Sequence, residues 1–170
     1  DTDEPRYRTH LIQGVTGSGK TLIYIKAVAQ AVEHGRGAIV LIPEISLTPQ
    51  TVSRFRAHFG DQVAVLHSGL SEGERYDAWR DLREGRKRIV VGARSAIFAP
   101  VQDLGVIVVD EEHDSSYKQD NPAPRYNAKD VAVVRGKMEN IPVILGSATP
   151  SLESHMNATA DKFNLIRRNR

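Results

Sequence analysis

Short runs of aliphatic and β-branched residues alternate along the chain with longer segments of mixed polarity. The runs Ala38–Ile42 and Val106–Val109 are apolar at every position, which is typical of strands buried on both faces. Further strands are predicted at His10–Gln13, Val63–Leu66, Ile89–Val91 and Val143–Leu145. Because strands alternate with helix-length segments, the pattern predicts an α/β fold with a mostly parallel central sheet and helices on both faces.

Capping residues indicate where several of the predicted helices begin. Thr48 before Pro49 is typical of an N-cap and a first helical residue, and Ser71 with Glu74 forms the pattern of a capping box. The stretch Asp114–Arg125 is polar and contains prolines, which predicts an irregular loop of the kind that often carries function. The predicted helices are Thr21–Glu33, Pro49 to about Phe59, Ser71 to about Glu84, Asn127–Met138 and Ser151–Ala160.

Composition excludes several classes of protein. The 170 residues include 40% hydrophobic and 26% charged residues, which is ordinary for one folded domain. Cysteine is absent, so the chain has no disulfide framework, no cysteine-ligated zinc and no catalytic cysteine. A formal net charge of +2 permits a nucleic-acid partner without indicating one. Since no apolar run reaches the ~18 residues of a membrane span, we expect a cytoplasmic domain with no membrane partner.

The segment GVTGSGKT matches the phosphate-loop pattern G-x-x-x-x-G-K-[ST]. Its glycines let backbone N–H groups point at phosphate oxygens, and the following helix adds the positive end of its dipole. In this pattern Lys20 reaches the β- and γ-phosphates, a catalytic role, and the Thr21 hydroxyl binds Mg²⁺. The match lies between a predicted strand and a predicted helix, which favours a nucleotide site over an ordinary glycine-rich turn. The predicted nucleotide-binding residues are Gly14, Val15, Thr16, Gly17, Ser18, Gly19, Lys20 and Thr21.

An acidic cluster, Asp110–His113, follows directly after the predicted strand Val106–Val109. Carboxylates at the carboxyl edge of a parallel sheet lie where open α/β folds bind their ligands. Asp110 is placed to hold Mg²⁺ through its water shell, and Glu111 to orient and polarise an attacking water. Most acidic clusters are solvated turns, but a phosphate loop in the same chain favours the catalytic interpretation. His113 is either solvated or a relay between sites.

The predicted strand Val143–Leu145 is followed by the small residues GSATP, which either begin a helix or belong to the site. Together, GSGKT, DEEH and SAT resemble motifs I, II and III of the first motor lobe of superfamily 2 helicases. Four further segments, LIPEISLTPQ, LHSG, GARSAIF and DEEHDSSYKQ, resemble those of the PriA family of bacterial primosomal replication-restart helicases. The resemblance extends from about Leu11 to Glu153.

The resemblance implies a RecA-like P-loop lobe over residues 1–170, with ATP and Mg²⁺ as cofactors. It implies a DNA-dependent ATPase that unwinds with 3′→5′ polarity at stalled forks. The implied partners are single-stranded and forked DNA, a second motor lobe of the same protein and primosome proteins. Because the family's second lobe, N-terminal DNA-binding region and zinc region are absent from this chain, we expect a piece of a larger bacterial cytoplasmic protein. The residues that would couple hydrolysis to movement are His113, Ser147, Ala148 and Thr149.

Two segments at the predicted sheet edge, Pro43–Gln50 and Gly92–Phe98, correspond to segments that follow the DNA backbone in this family. Their hydroxyl and guanidinium groups suit phosphate, although helix capping and a surface ion pair are alternatives. The loop Asp114–Arg125 and the residue after it combine aromatic faces with cations, which suits single-stranded DNA. Packing of Tyr126 under the next helix is the alternative there. The predicted DNA-binding residues are Thr48, Arg94, Ser95, Tyr117, Lys118, Arg125 and Tyr126.

Two other functions stay open at the level of sequence. The chain could belong to a different superfamily 2 motor, such as a fork-reversal or repair translocase or an RNA helicase. DEEH followed by SYKQ argues against a DEAD-box RNA helicase. It could also be a module that holds nucleotide or DNA without appreciable turnover.

Overall fold

The computed structural model describes residues 6–14, 19–121, 123–147 and 164–167. Short 3₁₀ turns connect several elements, at Glu44–Ser46, Gly60–Gln62, Arg94–Phe98 and Ser115–Tyr117. The strands and helices, in chain order, are β1 (Thr9–Gln13), α1 (Lys20–Glu33), β2 (Gly37–Leu41), α2 (Pro49–Phe59), β3 (Val63–Leu66), α3 (Glu72–Arg83), β4 (Ile89–Gly92), β5 (Leu104–Val109), β6 (Lys118–Gln119), β7 (Tyr126–Asn127), α4 (Ala128–Glu139), β8 (Val143–Ser147) and β9 (Asn164–Arg167).

Seven of the described strands form one sheet in the order β3-β4-β2-β5-β8-β1-β9, and every pairing in it is parallel. The predicted α/β fold with a mostly parallel sheet is therefore confirmed. Because the strands run in the same direction, their carboxyl ends meet at one edge, which is where such folds bind ligands. β1, which precedes the predicted phosphate loop, lies between β8 and β9.

Two of the described helices cover each face of the sheet, and the two faces have separate hydrophobic cores. On one face α1 and α2 pack on the sheet in a cluster that contains Phe55. On the other face α3 and α4 pack in a second cluster that contains Leu82. The neighbouring β2 residues Ile39 and Val40 belong to opposite clusters, and both are fully buried. Burial on both faces explains why this strand is apolar at every position.

The helix caps form as the sequence predicts. The Thr48 hydroxyl accepts a hydrogen bond from the Thr51 N–H at the start of α2, at 3.3 Å. At the start of α3, the Ser71 hydroxyl accepts from the Glu74 N–H at 3.1 Å, and the Glu74 carboxylate accepts from the Ser71 N–H at 3.2 Å. These bonds satisfy backbone donors that the first turn of a helix leaves without intrahelical partners.

Two regions differ from the sequence-based expectation. The stretch Asp114–Arg125 is less irregular than predicted, because it contains a 3₁₀ turn and the strand β6. β6 pairs with β7 in a two-stranded antiparallel ribbon, with Lys118 opposite Asn127. β9 was not predicted, and it extends the sheet beyond β1. The predicted helix Ser151–Ala160 lies outside the described residues.

The burial of β2 gives a stability prediction with a matched control. Ile39 is fully buried in the central sheet, whereas Ile45 is 86% exposed in a 3₁₀ turn. We expect Ile39→Ala to lower the free energy of unfolding by about 2–5 kcal/mol, because it leaves a cavity in a packed core. Ile45→Ala should change it by no more than about 0.5 kcal/mol. Urea unfolding of both variants checks this, and equal losses would contradict it.

Candidate functional site

The predicted phosphate loop lies between β1 and α1, and the structure describes Gly14 at its beginning and Gly19–Thr21 at its end. The Gly14 N–H, just after β1, donates to the Ser147 carbonyl at 3.1 Å. Gly19 caps α1 with φ of 84°, in the left-handed region that favours glycine. Lys20 is the first residue of α1 and is buried. The strand and helix that the motif requires are thus present, while residues 15–18 lie outside the described part of the chain.

An ion pair joins the phosphate-loop lysine to the acidic cluster. Lys20 Nζ lies 2.7 Å from Glu111 Oε1, and the lysine side chain is 8% exposed. Glu111 adopts φ of 47°, a left-handed conformation that costs energy for a residue with a side chain. The ion pair and this backbone turn bring the Glu111 carboxylate against the beginning of α1. Both predicted catalytic residues therefore lie at one point of the sheet edge.

Asp110 is held by hydrogen bonds from both faces of the sheet. Its Oδ1 accepts from the Tyr24 hydroxyl of α1 at 2.7 Å. Its backbone carbonyl accepts from the Tyr117 hydroxyl, and its N–H donates to the Leu41 carbonyl at 2.9 Å. Burial raises the pKa of the Asp110 carboxyl, and the Tyr24 hydrogen bond acts in the opposite direction. The sequence had no local signal for the Tyr24 contact.

A cavity of about 820 Å³ opens beside these groups, within the size range of small-ligand sites. The lining includes Thr21 at the start of α1 and the carboxylates of Asp110 and Glu111. Hydroxyl and carboxylate oxygens are ligands that Mg²⁺ accepts in phosphate sites, so these residues fit the predicted metal. Arg54 and His58 of α2 also line the cavity, which sequence reasoning missed.

The acidic cluster is also bonded to the end of β8. His113 Nδ1 lies 2.8 Å from Ser147 Oγ, and the Glu112 N–H donates to the Gly146 carbonyl at 3.0 Å. The buried Glu112 carboxylate forms an ion pair with Lys129 of α4 at 3.6 Å. The structure therefore brings together two of the predicted coupling residues. Ala148 and Thr149 lie outside the described residues.

Two side chains that were predicted to contact DNA are engaged within the protein in this structure. Tyr117 is fully buried, so its ring is not available for stacking on a base. The Arg94 guanidinium donates to the carbonyls of Ser116 at 3.4 Å and Lys118 at 3.2 Å. Arg94 therefore holds the backbone of the loop through this nitrogen, and its contact with DNA phosphate stays a prediction. Its role depends on a contact 22 residues away in sequence, which no local pattern indicates.

The remaining candidates for DNA contact differ in exposure. Ser95, Lys118 and Arg125 are exposed, whereas the Thr48 hydroxyl is engaged in capping α2. Tyr126 is half-buried and meets the Phe98 ring edge-to-face, with 5.1 Å between the ring centroids. Phe98 is 49% exposed, and sequence reasoning did not name it. An aromatic residue in the segment GARSAIF, close to the predicted loop, was the available signal.

In the part of the chain that the structure describes, no helix combines the length and apolar character needed to cross a bilayer.

The parallel sheet, the strand-to-helix phosphate loop and the acidic strand end define a RecA-like P-loop domain. Comparison with known proteins agrees, since residues 5–158 match the family described as DEAD/DEAH box helicase. The chain belongs to the DEAD/DEAH box helicase family.

Two PriA proteins are similar to this chain over most of its length. The chain is 55% identical over 166 residues to the replication restart protein PriA of Bacillus subtilis (strain 168), covering 98% of this chain and 20% of that protein. It is 53% identical over 162 residues to PriA of Chlamydia pneumoniae, covering 95% and 22%. The predicted resemblance to the PriA family is confirmed. The chain spans about a fifth of the length of these relatives.

A solved structure supports the fold. A hypothetical ATP-dependent RNA helicase from Sulfolobus tokodaii superimposes with a TM-score of 0.65 at 18% identity. The match covers 94% of this chain and 47% of that one. At this identity the likeness shows the RecA-like fold alone.

The Arg94 contacts predict that this side chain stabilises the backbone of the loop. Arg94→Ala removes the donor to two loop carbonyls, so we expect amide hydrogen exchange in residues 115–119 to accelerate at least about tenfold, the equivalent of about 1.4 kcal/mol. Ser95→Ala, at the exposed neighbouring position, should leave this exchange unchanged. Unaltered protection in Arg94→Ala would show that the loop does not depend on the guanidinium.

Proposed function

We propose that this chain is the ATP- and Mg²⁺-binding motor lobe of a DNA-dependent helicase that acts in replication restart. The observation that carries the proposal is the Lys20–Glu111 pair, which lines a cavity at the sheet edge together with Asp110. Similarity to the PriA proteins supports the assignment to replication restart. Similarity over most of this chain supports its treatment as one lobe, residues 1–170, of a larger bacterial protein with a second motor lobe.

The residues at the cavity would have separate roles in binding phosphate, binding the metal and accepting a proton. When a nucleotide binds, Lys20 would exchange its bond to Glu111 for bonds to phosphate oxygens, and the backbone N–H groups of the Gly14–Thr21 loop would contact the same phosphates. The Thr21 hydroxyl would be a ligand of Mg²⁺ and the Asp110 carboxylate would hold the ion through its water shell, and the bound metal would supply positive charge beside the phosphates. Once Lys20 has changed partner, the Glu111 carboxylate orients a water molecule and accepts its proton.

DNA would lie along the same edge of the sheet, beside the nucleotide. The exposed cations of Lys118 and Arg125 and the hydroxyl of Ser95 suit phosphate groups. The paired rings of Phe98 and Tyr126 offer an apolar face for an unpaired base. His113 and Ser147, with Ala148 and Thr149, would transmit the nucleotide state to the rest of the motor. Single-stranded and forked DNA are the proposed substrates, and primosome proteins the proposed partners.

Removal of the phosphate-loop lysine tests the nucleotide site. We expect Lys20→Ala to weaken MgATP binding at least about 100-fold, because it removes charge-assisted hydrogen bonds worth about 1.5–3 kcal/mol each. Lys26→Ala, an exposed lysine on the same helix, is the matched control and should bind as the wild type does. Calorimetric titration measures affinity, and circular dichroism verifies folding. Wild-type affinity in a folded Lys20→Ala variant would overturn the nucleotide site proposed here.

Replacement of the proposed base tests hydrolysis separately from binding. In the longer protein that contains both lobes, Glu111→Gln should keep ATP affinity and slow DNA-stimulated hydrolysis about 10²–10⁴-fold, since the amide cannot accept a proton from water. Glu33→Gln, at the exposed far end of α1, should hydrolyse ATP at the wild-type rate. Phosphate release is the measurement, and an unimpaired Glu111→Gln variant would place the base elsewhere.

A further inference from the structure

Helix α1 presents a second polar group to the acidic strand end, one turn after Lys20. Tyr24 is four residues further along, so the two side chains lie on the same face of the helix. Lys20 contacts Glu111, and the Tyr24 hydroxyl donates to Asp110 Oδ1 at 2.7 Å. Tyr24 is 2% exposed, so this hydrogen bond is formed in the interior of the protein. One helical face therefore contacts both carboxylates of the proposed site.

The end of β8 leaves room for this tyrosine only because residue 146 is glycine. A Cβ atom built on Gly146 would lie 2.7 Å from Tyr24 Cζ and closer still to the hydroxyl oxygen. The Gly146 backbone is itself fixed, since its carbonyl accepts from the Glu112 N–H. The Tyr24 hydroxyl thus lies between the β8 backbone and the Asp110 carboxylate. A larger residue at position 146 would displace it.

The hydroxyl does more than packing requires. A phenylalanine would fill the same core position with the same ring, whereas a buried hydroxyl must find a hydrogen-bond partner. The partner here is the carboxylate proposed to serve Mg²⁺. A hydrogen bond to one carboxylate oxygen fixes the orientation of the whole group, and such outer contacts orient metal ligands in proteins.

We infer that Tyr24 is a positioning residue for the Asp110 carboxylate, and that Gly146 is its steric complement. The inference rests on the proposed nucleotide function, because it concerns the carboxylate that would serve the metal. It also assigns a site role to α1 beyond the phosphate loop and to β8 beyond Ser147. The Mg²⁺ requirement of nucleotide binding then depends on a hydroxyl in the core.

The test measures how much Mg²⁺ the 170-residue chain needs to bind a fluorescent ADP, N-methylanthraniloyl-ADP. Tyr24→Phe should raise the Mg²⁺ concentration for half-maximal binding about tenfold, the lower end for lost outer contacts, and leave the metal-free affinity unchanged. Tyr7→Phe is the matched control, because it also removes a tyrosine hydrogen bond, which joins the Tyr7 hydroxyl and Thr9 Oγ1 at 2.7 Å. Thr9 lies at the opposite end of β1 from the site, so this variant should match the wild type.

Gly146→Ala gives an independent route to the same effect. Its methyl group would push the Tyr24 hydroxyl away from Asp110, so it should also raise the Mg²⁺ requirement about tenfold. In the Tyr24→Phe/Gly146→Ala double variant the two shifts should not add, because both remove the same hydrogen bond. Thermal unfolding of each variant without nucleotide verifies that the chain is folded at the temperature of the titration.

The outcomes separate this inference from the proposed function. A wild-type chain that binds the fluorescent ADP with Mg²⁺, together with an unchanged Mg²⁺ requirement in Tyr24→Phe, overturns the role of Tyr24 and leaves the nucleotide site standing. An equal shift in Tyr7→Phe also overturns it, because the effect would then follow from any lost tyrosine bond. A folded wild-type chain that binds no Mg²⁺–nucleotide overturns both.

Discussion

The parallel hydrogen bonding of the central sheet decides where the chemistry of this domain lies. β5, β8 and β1 are adjacent and run in the same direction, so their carboxyl ends bring Asp110, Ser147 and Gly14 to one short stretch of edge. Hydrogen bonds beyond the strands continue this arrangement, from the Gly14 N–H to Ser147 and from the Glu112 N–H to Gly146. The three motifs are thus joined through the backbone, and the side-chain contacts refine a position that the sheet has already set.

Asp110 forms hydrogen bonds with side chains from both faces of the sheet. From the α1 face Tyr24 holds its carboxylate, and from the opposite face the buried Tyr117 holds its carbonyl. The loop that contains Tyr117 is held in turn by Arg94, just after β4. Arg94 and Tyr117, which the sequence suggested for DNA contact, therefore also belong to the framework that holds Asp110. Arg94, just after β4, is thus linked to Asp110 through the loop backbone and the Tyr117 hydroxyl.

Local patterns predicted what local interactions determine. The caps at Thr48 and Ser71 and the buried strands follow from neighbouring residues, so their positions were predicted closely. The sequence placed Tyr117 and Tyr126 together in one aromatic loop, yet one is fully buried and the other half-buried beside Phe98. Which tyrosine turns inward depends on packing against α4 and the sheet, and no spacing rule reports this. The roles of Arg94 and Tyr24 likewise depend on partners distant in sequence.

The ion pair between Lys20 and Glu111 joins the two residues on which the proposed hydrolysis depends. In this pair, one oxygen of the Glu111 carboxylate is occupied by the Lys20 ammonium group. Because Lys20 is 8% and Glu111 26% exposed, the pair is largely buried, and separating it without a replacement anion for Lys20 would be costly. In the proposed function a phosphate group would draw Lys20 away, and the same event would release the base. Nucleotide binding and activation of Glu111 would then be one step, which keeps the carboxylate from acting before its substrate is in place.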